Sequence, residues 1–250
     1  MNLPKDTVVL ITGAGAGIGR AAALRFAESG ARVVVTGRRP EPLKALAAGR
    51  ENISSVLADA GNPDDARRTV ETVIERWGRL DILVNNAGAG AMLPVEAATA
   101  EAIYNIFAVN VFGPSLLVTA ALPHLKESGG NIVNVSSTFG HKAAALLSHY
   151  SGSKAALEHM TRCWALELAE HRIRVNAVAA GPTETKFLNE RMGLSEEQAE
   201  SVKAEERNRI PLRRRGLPEE VAGWIVLLAS ETAGWITGQI ITVDGGLSIT

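Results

Sequence analysis

Tyr150 and Lys154 stand four residues apart in Tyr150-Ser151-Gly152-Ser153-Lys154, a spacing that stacks both on one helix face. A phenol titrates near about 10, a poor acid or base at neutral pH. An ammonium one turn away favours the phenolate and brings the group toward working pH. The same pair is also an ordinary neighbour pair on a helix surface. A second stretch with chemistry in it is Thr12-Gly13-Ala14-Gly15-Ala16-Gly17-Ile18-Gly19. Glycines there permit a tight turn and close backbone approach to a pyrophosphate, which then sits on the N-terminus of the following helix. The spacing of Gly13, Gly17 and Gly19 is G-x-x-x-G-x-G.

These residues need elements to hold them. Short β-branched runs at 8–12, 32–36, 53–58, 82–85, 131–135, 174–178 and 240–243 alternate with helix-period segments at 17–29, 41–49, 63–77, 99–125, 149–170 and 218–230. Runs such as Val8-Val9-Leu10-Ile11 are apolar without alternation, as in strands covered on both faces. Strict alternation predicts an α/β fold with a doubly wound, seven-stranded parallel sheet and helices on both faces. It accounts for residues 1–250 as one domain. The polar stretch 182–217, with a helical fragment over 195–209, interrupts the rhythm and reads as a substrate lid.

The remaining distinctive residues fall at the carboxyl ends of the expected strands. Gly37-Arg38-Arg39 ends the second, Asp59 the third, Asn85-Asn86-Ala87-Gly88 the fourth, Ser136-Ser137 the fifth and Gly181-Pro182 the sixth. Ligands bind at that edge of an open α/β sheet, where the strand order reverses.

Taken together, the 12–19 turn, Asn85-Asn86-Ala87-Gly88, Asn110, Ser137 and Tyr150-x-x-x-Lys154 resemble the short-chain dehydrogenase/reductase family, in its compact single-domain branch. The resemblance runs from Val8 to Val243-Asp244-Gly245-Gly246. It implies a Rossmann-like fold, a nicotinamide cofactor, and interconversion of a secondary alcohol and a ketone. It implies Tyr150 as general acid/base, and Lys154 as the residue that lowers its pKa and holds the nicotinamide ribose. By the same likeness Ser137 orients the substrate oxygen and Asn110 supports a proton-relay water. Gly13, Gly15, Gly17, Ile18 and Gly19 match the diphosphate turn, and Asn86 and Gly88 the cofactor frame. Asp59 matches the acid near the adenine, and Gly181 and Thr185 the loop at the nicotinamide. The chain departs from the family at Ala180-Gly181-Pro182-Thr183, where Pro-Gly is usual.

The second strand ends at Gly37, where an NAD site usually places an acid for the ribose hydroxyls. Arg38 and Arg39 follow, and a guanidinium fits a 2′-phosphate through paired hydrogen bonds. The expectation is NADP(H) over NAD(H), with Arg38 as main contact. Ala16 offers no second basic residue, and the alternative is that both arginines lead a surface helix into solvent.

Charge excludes other classes. Lys and Arg number 26 against 27 Asp and Glu, so no basic footprint for nucleic acid exists. One cysteine, Cys163, permits neither an internal disulfide nor a multi-thiolate site, which suits a reducing, cytoplasmic setting. No metal site is read from the sequence. The start of the chain fits no signal peptide. The uncharged stretch 102–123 is broken by Asn105, Asn110, Gly113 and Pro114 and reads as a buried helix rather than a membrane span.

Two other activities share parts of this pattern. Nucleotide-sugar epimerases and dehydratases carry the Gly-rich turn and Y-x-x-x-K, usually with a larger C-terminal domain. A non-catalytic nucleotide-sensing protein would be expected to have lost Ser137, Tyr150 or Lys154. Met92, Leu93, Phe139, 143–147, Phe187, Leu188 and Met192 suggest an apolar pocket for a medium-sized ketone or alcohol. His141, His149 and the Arg213-Arg214-Arg215 run read as solvated, Cys163 as packing, and Trp224 and Trp235 as core or interface. The resemblance implies that helices 99–125 and 149–170 pair across a two-fold axis, giving a homotetramer.

Overall fold

In β1 (Val8–Ile11), Val9 and Ile11 enter one buried cluster while Val8 and Leu10 enter another. β2 (Arg32–Gly37) divides in the same way, Val33 and Val35 against Val34. Side chains alternate across a strand, so a strand covered on both faces has no polar position. The computed structural model describes residues 3–250. With β3 (Ile53–Leu57), β4 (Ile82–Asn85), β5 (Asn131–Ser137), β6 (Arg174–Ala180) and β7 (Ile240–Val243), these strands form one sheet in the order β3-β2-β1-β4-β5-β6-β7. Every neighbouring pair is parallel. The chain builds outward from β1 to β3, then crosses back to lay β4 against β1. The order therefore reverses between β1 and β4, and a cleft opens there.

α1 (Gly17–Glu28), α2 (Pro40–Ala47) and α9 (Pro218–Ala229) supply one buried layer through Phe26, Leu43, Leu46, Val221 and Ile225. α3 (Pro63–Trp77), α5 (Gly113–Ser128) and α6 (Ser148–Leu168) supply the other through Val70, Val73, Leu117, Leu125 and Leu168. The fold is the expected doubly wound, Rossmann-like one.

Three local differences matter for the site. β5 and β6 each run two residues beyond their expected ends, so Ser136 and Ser137 belong to the strand itself. The expected helix 99–125 is broken into α4 (Ala100–Phe107), a π turn at Ala108–Phe112, and α5. A π turn inserts one residue into the helical ladder, and here it carries the fully buried Asn110. Beyond it, Leu117, Val118, Ala121 and Leu125 are buried in the layer over the sheet. The polar stretch holds two helices, α7 (Phe187–Glu190) and α8 (Glu196–Arg209), the latter started by a Ser195–Gln198 capping box.

Candidate active site

The Gly-rich turn is fastened to the end of β4. The Thr12 hydroxyl accepts from the backbone N–H of Asn86 and Ala87, each at 3.0 Å. The Asn86 amide donates to the carbonyls of Thr12 at 2.8 Å and Gly13 at 3.2 Å. Gly13 has φ +66°, and a Cβ there would stand 2.8 Å from Ala87 Cα. Gly19 lies beneath Asn86, so close that a side chain would strike its amide. It packs the turn and does not line the cleft, since Asn86 stands over it. α1 begins behind Ala16, which provides no side-chain cap, leaving first-turn N–H groups for an anion. Gly13→Ala is expected to cost at least about 1–2 kcal/mol for a left-handed alanine, plus the clash. The checks are a lowered thermal midpoint and weakened dinucleotide binding by calorimetry.

Ser137, Tyr150 and Lys154 converge on the same cleft, which has a volume of about 790 Å³. Tyr150 and Lys154 are both buried, one turn apart on α6. Burial pushes the Tyr150 phenol up, and a hydrogen bond with Ser137 opposes it. This differs from the expected lowering by Lys154, whose own charge is poorly solvated. Burial brings the Lys154 ammonium down to about 8, with Glu158 pulling it back up. Lys154 Nζ donates to the Val135 carbonyl at 2.8 Å. Phe187 from α7 stands over the tyrosine, with ring centroids 6.1 Å apart.

Glu158, one turn further along α6, was not legible as special. Its side chain is only 4% exposed and accepts from Ser136 Oγ at 2.8 Å, with His141 Nδ1 at 3.2 Å. His141 is therefore engaged, not freely solvated, and its other ring nitrogen lies 3.3 Å from the Thr242 hydroxyl. Asn110 does not reach the cleft wall. Its amide accepts from Ala89 N–H at 2.9 Å and donates to Ala89 O at 2.8 Å and Ser153 Oγ at 2.9 Å. It thereby fixes the loop that follows β4. Gly88 lies between the two groups: a Cβ there would be 3.8 Å from both Asn110 Oδ1 and Lys154 Nζ.

Gly15, Ile18, Arg38 and Asp59 also line the cleft. Arg38 Nη1 is 3.7 Å from Asp59 Oδ2, so an acid does stand near the position expected to meet a phosphate. Asp59 also accepts from Gly61 N–H at 2.9 Å. Arg39, though exposed, forms a two-pronged pair with Glu190 at 3.1 and 2.9 Å.

The loop after β6 follows a defined path despite its displaced proline. Gly181 is pressed against Asp244, where no side chain would fit, and still lines the cleft. Gly216 N–H donates to Pro182 O and Glu184 N–H to Gly216 O, making a short parallel bridge. Thr185 reaches the cleft wall, its methyl 3.0 Å from where a Gly17 Cβ would be. The Arg213-Arg214-Arg215 run is not uniformly solvated. Arg215 is 3% exposed, donates to Thr183 O at 2.6 Å, and sits 3.0 Å from Glu206. Glu206 and Arg215 both border the cleft, so the lining carries more charge than the sequence suggested. Phe139, Phe187, Leu188 and Met192 line it as expected, whereas Met92, Leu93 and 143–147 do not. The Leu93 N–H pairs with Leu146 O instead, tying those two loops to each other. Cys163 is exposed on the outer face of α6, as is Leu166. Trp224 is 41% exposed and Trp235 fully so, which removes both from the core.

A family model described as enoyl-(acyl carrier protein) reductase matches residues 13–248. An uncharacterized oxidoreductase of Thermotoga maritima is 41% identical over 248 residues, covering 96% of each chain. The 3-oxoacyl-[acyl-carrier-protein] reductase FabG of the same organism is 38% identical, covering 97% of this chain and 98% of that one. A solved 3-ketoacyl-(acyl-carrier-protein) reductase from Brucella melitensis, complexed with NADH, superposes with a TM-score of 0.91 at 34% identity. That match covers 98% of this chain and 99% of the other. The chain belongs to the short-chain dehydrogenase/reductase family.

As a short-chain dehydrogenase/reductase it is an oxidoreductase of a family that uses NAD(P)(H). The residues present fit a nicotinamide dinucleotide on structural grounds. The turn at Gly13 and Gly17 has no room for side chains, the α1 N-terminus has uncapped donors, and a buried cation, Lys154, waits at the other end. Arg191 and Glu190, which border the cleft with Arg38 and Arg39, were missed by the sequence reading because a polar segment without hydrophobic periodicity does not place its residues.

Proposed function

We propose that this protein is an NADP(H)-dependent oxidoreductase that interconverts a secondary alcohol and a ketone, with Tyr150 as general acid/base. The observation that carries the reading is the meeting of Ser137, buried Tyr150 and buried Lys154 in the cleft that begins at the Gly-rich turn. Ser137 Oγ holds the substrate oxygen, and the Tyr150 hydroxyl gives it a proton during reduction or takes one during oxidation. Lys154 keeps positive charge beside the ribose and phenol, and Asn110 holds the adjoining loop. The bound nicotinamide supplies or accepts the hydride. Gly13, Gly15, Gly17, Ile18, Asn86, Gly88, Asp59, Gly181 and Thr185 frame the cofactor, directly or through the turn they brace. The complete trio supports catalysis over nucleotide sensing alone.

Residues 182–217 act as a lid on a single catalytic domain in this reading, with Phe187 covering Tyr150. Phe139, Leu188 and Met192 favour a carbonyl carried on an apolar chain, and the named ketoacyl reductases among the relatives agree. Arg38 favours the 2′-phosphate. Exposed Leu166, Trp235 and Ile249 support a homotetramer, and the single cysteine suits the cytoplasm.

The test is a panel of apolar ketones, secondary alcohols and a 3-ketoacyl thioester, each with both cofactors. We expect kcat/KM at least about tenfold higher with NADPH than NADH, and Arg38→Ala to raise KM for NADPH about tenfold with little change for NADH. Preference for NADH, or an equal effect of Arg38→Ala on both, overturns the cofactor assignment. Turnover of none of these carbonyls or alcohols overturns the reaction.

A further inference from the structure

The adenosine side of the cleft contains a third arginine. Arg191 caps the C-terminal end of α7, borders the same cleft as Arg38, Arg39 and Asp59, and is half-buried. Its neighbours are already assigned partners: Arg39 is forked onto Glu190, and Arg38 leans on Asp59. Arg191 has neither an ion pair nor a side-chain hydrogen bond among the described residues, although two guanidinium groups act on it with like charge. Burial, then Arg38 and Arg39, push it below the ordinary arginine range, with Glu190 and Asp59 opposing. Three guanidinium groups crowd against two carboxylates, leaving one net positive charge facing the cleft. Partly desolvated like charges are unfavourable unless an anion joins them.

We propose that Arg191 is a phosphate ligand carried by the lid, pairing with Arg38 on the 2′-phosphate of the adenosine ribose. Ala16 leaves the Gly-rich turn without a cation, and Arg191 provides the second one from the opposite wall. The Arg39–Glu190 fork holds the end of α7 against the segment after β2, which brings Arg191 beside Arg38. Cofactor choice and lid position are thereby linked through one side chain. This inference rests on the NADP(H) reading.

Calorimetry with 2′,5′-ADP and 5′-ADP on wild type, Arg191→Gln and Arg38→Ala separates the two. Arg191→Gln is expected to weaken 2′,5′-ADP binding about tenfold and leave 5′-ADP within about twofold, with Arg191→Lys intermediate. Equal weakening of both ligands assigns Arg191 to the pyrophosphate and overturns the proposal. No weakening of either ligand overturns it too, while wild type and Arg38→Ala still report on the cofactor reading. If wild type fails to prefer 2′,5′-ADP, the cofactor reading falls and this proposal with it. Arg191 is half-exposed at a helix end, so an unchanged melting midpoint is expected and checks the fold.

Discussion

Tyr150→Phe is expected to lose about three orders of magnitude in kcat while dinucleotide affinity stays within about threefold of wild type. The substitution removes one oxygen from a ring whose packing against Phe187 remains. Ser137 can still hold the substrate oxygen, but no positioned group gives it a proton. Stopped-flow turnover with a fluorescence titration of the cofactor distinguishes the two quantities, and near-wild-type turnover refutes the role. The wild-type pH profile has a definite sign. Burial raises Tyr150, so its proton is retained at neutral pH and is available for the proposed reduction. Lys154 loses its charge as pH rises through about 8, so carbonyl reduction declines above that value. Alcohol oxidation, which in the proposed mechanism needs the phenolate, is expected to gain with pH over the neutral range.

Arg215→Met should lower stability by about 3 kcal/mol, since removing one partner of a buried pair leaves the other charge stranded. For a chain of this size that is a fall of roughly 6–12 °C in thermal midpoint. Glu206 is the residue stranded. Burial already raises it, and Arg215 is the main opposing influence. With Arg215 gone, the folded-state pKa of Glu206 moves further above its unfolded value. The penalty is then full above the folded pKa and vanishes below the unfolded one, so the deficit should shrink between pH 8 and pH 5. Arg214→Met is the matched control. Its partner Glu220 is half-exposed, and such pairs contribute about 0–1 kcal/mol. Equal losses from the two substitutions, measured by calorimetry across that pH range, would discard the distinction.

The contrast between Arg214 and Arg215 also marks where sequence ceases to inform. Three adjacent arginines have one composition, yet the bridge between Thr183 and Gly216 turns the third inward and the second outward. Strands were legible because a doubly covered sheet demands runs like Val8-Val9-Leu10-Ile11. The Gly13 turn and the Tyr150–Lys154 pair were legible because each is local, set by a few consecutive residues. The π turn at Asn110 was not, since one inserted residue leaves the hydrophobic spacing on either side intact. Glu158 sits mid-helix like any surface glutamate, and only Ser136 and His141, from another element, make it buried and bound. Charge in the cleft lining was missed for the same reason: Glu206 and Arg215 meet from α8 and the segment before α9.

The bracing of the Gly-rich turn has a consequence for the order in which the protein is made. Thr12 and Asn86, which hold that turn, are 74 positions apart. β1 likewise has β2 as an early neighbour, but its other side waits for β4. At translation rates of about 5–20 residues per second, roughly 4–15 s separate the synthesis of the turn from that of its brace. During that interval the nascent chain exposes one unpaired edge of its most apolar strand and presents a dinucleotide turn with no wall behind it. Cofactor therefore cannot help the earliest folding steps, and protection of the β1 edge falls to whatever else meets the emerging chain.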